Sequence, residues 1–289
     1  MSHLLCFGLG FSAAVLAQRL SARGWTISAT SRSQKGADAI SGHGYRGLVF
    51  DGTTPLPAGA FDGVTHVVAS APPGDDGDPV LRRHREDFAG RADQFSWIGY
   101  LSTTGVYGDH GGGWVTEDTP LTPNTARGEK RLLAETQWLD LWRDHRLPVH
   151  LFRLAGIYGP GRNQVLSVLD GSAKRVIKPG QVFSRIHVED IANVLEASIA
   201  RPHPGTAYNV CDDEACPPQD VVEFAANLLG LPVPPDVPFD EAALSPMARS
   251  FFADSKRVSN ARIKAELGVA LNYPTYREGL AAIARELRR

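Results

Sequence analysis

A run of small residues near the amino terminus, Gly8-Leu-Gly-Phe-Ser-Ala13, joins an apolar stretch (Leu4 to Gly8) to an amphipathic one (Ser12 to Ala22). In that setting the Gly-x-Gly-x-x-Ala spacing suits anion chemistry. Gly8 permits a tight turn, Gly10 lets a pyrophosphate approach the backbone, and Ala13 keeps helix and strand close. Backbone N–H groups around Phe11 and Ser12 then face the negative charge. The expected ligand is a dinucleotide held by Gly8, Gly10, Phe11, Ser12 and Ala13. About twenty residues further on, an NAD site would place an Asp or Glu on the ribose 2′-hydroxyl. The chain instead reads Ser28-Ala-Thr-Ser-Arg-Ser33, with no acid. Arg32 suits a 2′-phosphate, because a guanidinium donates paired charge-assisted hydrogen bonds to phosphate oxygens. NADP is therefore expected over NAD; a solvated loop residue is the competing reading of Arg32.

Two further positions lie where strands are expected to end. Asp51 follows the apolar run Gly47 to Phe50 and is read either as an acceptor for an adenine amino group or as a turn residue before Gly52. Ser70, Ala71 and Pro72 end the run His66 to Ser70, where the chain would pass beneath the cofactor.

The elements that must position these residues follow a rhythm of apolar runs and amphipathic segments. Strands are expected at Leu4 to Gly8, Thr26 to Thr30, Gly47 to Phe50, His66 to Ser70, Trp97 to Ser102 and Val149 to Leu154. Helices are expected at Ser12 to Ala22, around Ala37, and at Glu129 to Arg143 with Leu132, Leu133, Trp138, Leu139 and Leu141 near one face. This alternation predicts an α/β fold, a Rossmann-like doubly wound parallel sheet. After Gly156 the rhythm weakens, with Pro and Gly at Gly159-Pro-Gly161, Pro179-Gly180, Pro202 to Gly205, Pro217-Pro218 and Leu231 to Pro238. The expected division is a nucleotide-binding domain over 1–155 and a smaller substrate-binding lobe over 156–289. The strand-to-helix segment 183–200 is expected to return to the main sheet.

Composition narrows the functional classes. Thirty basic and 32 acidic side chains give a net charge of −2, and the basic residues form no stripe, so nucleic acid is not an expected partner. No apolar run approaches the ~18 residues of a membrane span. With no basic leader or small-residue cleavage site, a cytoplasmic location is the expectation. Cys6, Cys211 and Cys216 show no paired ligand spacing, so neither a metal site nor a disulfide is expected.

Four stretches carry a resemblance: Gly8 to Ala13, Leu101-Ser-Thr-Thr-Gly-Val-Tyr-Gly108, Phe152-Arg-Leu-Ala-Gly-Ile-Tyr-Gly-Pro-Gly161 and Arg185-Ile-His-Val-Glu-Asp190. In that order the chain resembles the extended short-chain dehydrogenase/reductase superfamily, in particular its NAD-dependent epimerase/dehydratase branch. The resemblance covers most of the chain. It implies that Thr103 is the Ser/Thr that hydrogen-bonds the substrate oxygen, that Leu154 and Ala155 lie by the cofactor, and that Tyr107, Arg185 and His187 face the substrate. It also implies a Tyr-x-x-x-Lys pair just before Leu132 to Glu135. Counting back from Glu135, which matches a glutamate of that helix, puts Arg131 at the Lys position and Arg127 at the Tyr position. Gly128 matches the glycine that often follows the tyrosine.

The replacement changes the chemistry. A tyrosine with a pKa of ~10 can be tuned to exchange a proton near neutrality, whereas arginine stays protonated to above ~12. Arg127 therefore cannot do the tyrosine's work, while Arg131 has donors to replace the lysine on the nicotinamide ribose. If catalysis persists, its donor must come from elsewhere, and Tyr107, Tyr158, His187 and Asp109 are the titratable candidates near these motifs. The chain is similar to an atypical branch lacking the pair. Two functions follow as expectations: an NADP-dependent oxidoreductase or epimerase-like enzyme on a small polar or nucleotide-linked substrate, or a non-catalytic NADP(H)-binding sensor or regulatory protein. Relatives dimerise through the helices equivalent to Pro79 to Arg91 and Glu129 to Arg143. The charges on both helices here leave monomer and homodimer open.

Overall fold

The structure is a computed structural model that describes residues 2–287. In chain order the elements are β1 (His3–Phe7), α1 (Phe11–Ala22), β2 (Thr26–Ser31), α2 (Gln34–Gly42), β3 (Arg46–Val49), β4 (His66–Ala69), α3 (Pro79–Ala89) and β5 (Trp97–Thr103). They continue with β6 (Trp114–Val115), α4 (Ala126–His145), β7 (Val149–Leu154), β8 (Gly156–Tyr158), α5 (Gln164–Leu169), β9 (Arg175–Ile177), β10 (Arg185–His187) and α6 (Val188–Ala200). The chain ends with β11 (Ala207–Val210), α7 (Pro218–Leu229), β12 (Asp236–Pro238), α8 (Pro246–Phe251), β13 (Arg257–Val258), α9 (Ala261–Leu267) and α10 (Tyr276–Glu286).

Seven strands form one sheet in the order β11-β7-β5-β4-β1-β2-β3, which confirms the expected doubly wound α/β fold. The pairs β1–β2, β1–β4, β2–β3 and β4–β5 are parallel, as crossover helices require. Strand order reverses between β1 and β4, and ligands of open α/β sheets bind beyond the carboxyl ends of strands at such a reversal. β1 is buried throughout, so its run of Leu4, Leu5, Cys6 and Phe7 reads as continuous apolar sequence instead of an alternation.

The chain divides into two compact units. Unit 1 contains 1–103, 129–153 and 192–208, and unit 2 contains 104–128, 154–191 and 209–289. The sequence reading draws its line at 155/156 and returns 183–200. The compact units place 104–128 in unit 2 and 192–208 in unit 1.

The core of unit 1 packs Phe7, Phe61, Phe88, Tyr100, Trp138 and Leu151 among other fully buried side chains. Phe88 meets Trp138 edge to face at 5.4 Å. Of the apolar positions expected on one face of α4, Trp138 and Leu141 are buried, while Leu133 is exposed. The core of unit 2 is a separate cluster of Tyr158, Val165, Cys216, Val221, Tyr276, Leu280 and Ile283. Its strands are two or three residues long and pair only two by two, β10 with β8, β12 with β9 and β13 with β6.

Candidate functional site

The turn after β1 is fixed by backbone geometry and two hydroxyls. Gly8 has φ +90°, a region that side chains with a Cβ rarely enter. A Cβ there would stand 3.0 Å from Ser70 Oγ. Ser70 Oγ lies within hydrogen-bond reach of the carbonyl oxygens of Phe7 (3.1 Å) and Gly8 (2.9 Å), and Gly8 N–H donates to Thr30 Oγ1 (2.9 Å). β2 and β4 therefore clamp the turn from both sides. Gly10 is the N-cap of α1 and has no side-chain cap, so the first N–H groups of the helix are left for an anion. A Cβ at Gly10 would meet nothing within 4 Å, and Ser12 and Ala13 are buried beneath the turn. These features fit the pyrophosphate of a dinucleotide.

Arg32 is exposed immediately after β2, and Ser33 caps α2 by accepting from Gly36 N–H (3.3 Å). Asp51 Oδ1 accepts from Thr53 N–H (2.8 Å), Thr53 Oγ1 (2.7 Å) and Thr54 N–H (3.4 Å). Those bonds, the Thr53 hydroxyl foremost, hold its carboxyl below the usual range. The geometry is that of the turn residue, the second of the two readings. Ala71 is half-buried and Pro72 exposed. Leu154 and Ala155 are buried at the end of β7, where Ala155 N–H donates to the Val210 carbonyl (3.1 Å).

Thr103, half-buried, is the last residue of β5. Beneath it, Ser102 Oγ donates to Glu135 Oε1 (2.5 Å), and Arg153 holds the same carboxylate through Nε (3.2 Å to each oxygen) and Nη2 (2.8 Å to Oε2). All three residues are buried. Arg131 turns back onto the same strand: Nη1 donates to the Leu101 carbonyl (2.7 Å) and the Tyr100 hydroxyl (3.1 Å), with the guanidinium 5.7 Å from the Tyr100 ring centroid. Arg131 thus braces β5 through these bonds. Burial pushes Tyr100 up, against the pull of the Arg131 charge. Asp78, the N-cap of α3, is likewise raised by burial, against bonds from the Val80 and Leu81 N–H groups.

In unit 2 the helix start that carries Arg127 is close-packed. A Cβ on Gly128 would lie 2.8 Å from the Gly105 carbonyl oxygen and 2.8 Å from Pro123 Cβ. Only glycine fits, so the backbone at 127 is set against the loop that follows β5. Arg127 is exposed and its guanidinium lies 5.3 Å from the Phe251 ring centroid.

The residues expected to face a substrate are deeply placed. Tyr107 is fully buried, and its hydroxyl donates to Asn209 Oδ1 (2.7 Å). Arg185 is buried and donates from Nη1 to the Phe183 carbonyl (3.0 Å) and to Cys216 Sγ (3.2 Å). His187 Nδ1 accepts from Glu189 N–H (3.2 Å), with its ring packed on Tyr158 and Tyr273. Tyr158 donates to the Thr275 carbonyl (3.3 Å) and is pushed up by burial and the Asp212 and Asp190 charges. Asp109 accepts from Ser255 and Gly111 N–H. Burial opposes its ionisation, but those bonds and the Lys256 charge hold its carboxyl low. In this geometry each of the four substitute donors is engaged by its own neighbours.

The loop Gly108 to Pro120 is tied down along its first half. His110 and Gly112 N–H groups donate to the Ser255 carbonyl (3.1 and 2.8 Å), Lys256 Nζ donates to the Gly108 carbonyl (2.7 Å), and Arg257 N–H donates to the Gly113 carbonyl (2.8 Å). Trp114, whose backbone pairs with Arg257 across β6 and β13, presents its side chain 64% exposed.

Sequence reasoning missed Asp212. Its Oδ1 accepts from Glu214 N–H (3.3 Å), while Oδ2 is buried without a hydrogen-bond partner. Burial pushes this carboxyl up to about 8, against the attraction of Arg185. Nothing in the local sequence distinguishes it from Asp213. Among the described residues no helix is long and apolar enough to cross a membrane, and no group of three His, Cys, Asp or Glu side chains is placed to hold a metal ion. The three cysteines are free and buried.

The chain is 29% identical to Protein YeeZ of Escherichia coli strain K12 over 301 aligned positions, covering 95% of this chain and 97% of that protein. A solved structure of a functionally unknown conserved protein from Silicibacter pomeroyi DSS is 55% identical over the whole of both chains, with a TM-score of 0.92. dTDP-glucose 4,6-dehydratase from Bacillus anthracis str. Ames, solved in complex with NAD, is 19% identical with a TM-score of 0.78. That match covers 100% of this chain and 97% of the dehydratase. Residues 89–211, from the end of α3 through β11, match the sequence model of the NAD dependent epimerase/dehydratase family. Over that stretch, and in its doubly wound sheet, the chain is similar to that family.

Proposed function

We propose that the chain binds a nicotinamide dinucleotide at the turn after β1, NADP in preference to NAD, and acts in the cytoplasm as an atypical oxidoreductase or epimerase-like enzyme on a nucleotide-linked or small polar substrate. The observation that carries the cofactor reading is the turn itself, with Gly8 at φ +90°, the Ser70 and Thr30 clamps and the uncapped start of α1. The nicotinamide would supply a hydride acceptor or donor. Thr103, at the end of β5, hydrogen-bonds the substrate oxygen, and Ser102, Glu135 and Arg153 hold that strand end in register. Arg32 supplies paired donors to a 2′-phosphate beyond the second strand. The dehydratase relative with its dTDP-linked sugar supports a nucleotide-linked substrate.

A second reading, a redox-responsive NADP(H)-binding protein without turnover, is favoured by Arg127, which cannot exchange a proton at neutral pH. The deciding experiment is a titration with NADPH and NADH followed by nicotinamide fluorescence. Binding of NADPH at least ~10-fold tighter than NADH, lost in Arg32→Ala, is the expected result, since a charge-assisted pair contributes about 1.5–3 kcal/mol. Equal affinities would assign the site to NAD, and binding of neither would remove the cofactor reading.

A further inference from the structure

Between α3, α4 and the loop that precedes α3, all within unit 1, lies a cleft of about 510 Å³. Arg82, Arg83, Arg85, Glu86, Asp76 and Gln137 line it together with the buried Leu81. One wall is pinned. Gln137 Oε1 accepts from Asp78 N–H (2.8 Å), and its Nε2 donates to the Asp76 carbonyl (3.3 Å). Gly77 lies so close to that amide that a Cβ would fall 2.2 Å from Oε1, and its φ of +90° favours glycine.

The run Leu81-Arg-Arg-His-Arg-Glu86 buries Leu81 and His84 and leaves its three arginines toward the surface. Arg82 Nη2 (2.9 Å) and Arg83 Nε (3.2 Å) both donate to the Gly52 carbonyl, which gathers two positive charges at one oxygen. That oxygen carries no net charge to offset their repulsion. Among the described residues the two Nη groups of Arg83 make no hydrogen bond. Arg85 meets Asp144 at 3.7 Å, and Arg82 Nη1 reaches Asp76 at 3.4 Å. Those acids are 59% and 78% exposed, and ion pairs so open to water contribute little.

We propose that the cleft binds a diphosphate-type anion through Arg82, Arg83 and Arg85, at a site that shares no residue with the glycine turn. Guanidinium donors lie in a plane and pair with phosphate oxygens two at a time. A single carboxylate fills one such fork. Two linked phosphate groups carry oxygens enough for all three, and the charge to draw Arg82 from Asp76. Glu86, exposed and lining the same cleft, opposes any anion there, so a multiply charged one is retained and a singly charged one is not.

The test titrates inorganic pyrophosphate, orthophosphate and ADP into the full chain, alone and saturated with NADPH, by calorimetry. Pyrophosphate is expected to bind below ~1 mM and about 10-fold or more tighter than orthophosphate, the step contributed by one further charge-assisted pair. NADPH is expected to leave that affinity within about twofold. Arg83→Gln and Arg85→Gln are each expected to weaken it ~10-fold, and Glu86→Gln to strengthen it. Arg143→Gln, in the last turn of α4, is expected to change nothing. All four substitutions lie toward the surface, and an unchanged Tm verifies each fold. If ADP matches pyrophosphate with NADPH bound, the ligand is the diphosphate tail of a nucleotide; if ADP is much weaker, it is the free anion, and either result bears the assignment out. If NADPH displaces pyrophosphate, the anion sits at the glycine turn. That outcome overturns the assignment, as does wild-type affinity in Arg83→Gln and Arg85→Gln, or orthophosphate binding as tightly as pyrophosphate.

Discussion

Two regions of unit 1 handle polar groups in opposite ways. At the β1–β4 reversal, the glycine turn is built from backbone N–H groups, two hydroxyls and a positive φ, with no charged side chain in the clamp. One strand over, the end of β5 rests on buried charges, with Glu135 held by Arg153 and Ser102, and Arg131 lying against Tyr100. The turn is kept open and neutral, as a polyanion site would require, whereas the strand end is braced by paired ions. The glycine turn and the braced strand end therefore share no side chain, and a change in one leaves the other's bonds in place.

The contrast is broken most severely at Glu135. Glu135→Ala strands the buried Arg153 charge, and loss of one partner of a buried ion pair costs about 3–5 kcal/mol. Denaturant unfolding should show that loss; a change under ~1 kcal/mol would mean that the pair is solvated in solution. At the glycine turn, Gly8→Val forces a branched side chain into φ +90° beside Ser70, an expected strain of about 1–3 kcal/mol. NADPH affinity should drop with it by more than ~10-fold, on the same scale of strain and misplaced N–H groups. Retained affinity would show that the turn can rearrange.

Asp212 of unit 2 sharpens the contrast, because it is a buried carboxyl with one unpartnered oxygen. Its folded pKa, about 8, lies above the unfolded value. Its contribution to stability is thus fully present at low pH and is lost as pH rises toward and through 8. The wild-type Tm should therefore fall across that window relative to Asp212→Asn, whose profile lacks this slope. Parallel profiles would place a partner on Oδ2 in solution.

Much of unit 1 was legible because its signals are local. Leu4 to Phe7, Val149 to Leu154 and the glycine spacing declare themselves within a few residues, and their strands and turn fall where the periodicity puts them. The seventh strand, Ala207–Val210, escaped because four residues after a Pro-Gly loop carry too little pattern. In unit 2 the decisive partners are far apart in sequence: Tyr107 bonds Asn209, Lys256 bonds Gly108, and Arg185 bonds Cys216. Spacing cannot reveal such pairs. It also could not reveal that Arg131 folds back onto its strand.

The ties between 108–113 and 255–257 have a kinetic consequence. Backbone bonds run in both directions between the two segments, and a buried lysine joins them. Neither segment can then open alone without stranding the other's carbonyls. Amide hydrogens of His110, Gly112 and Arg257 should exchange with solvent at one shared rate, as a single cooperative unit, while the exposed Trp114 side chain samples its rotamers on a much faster clock.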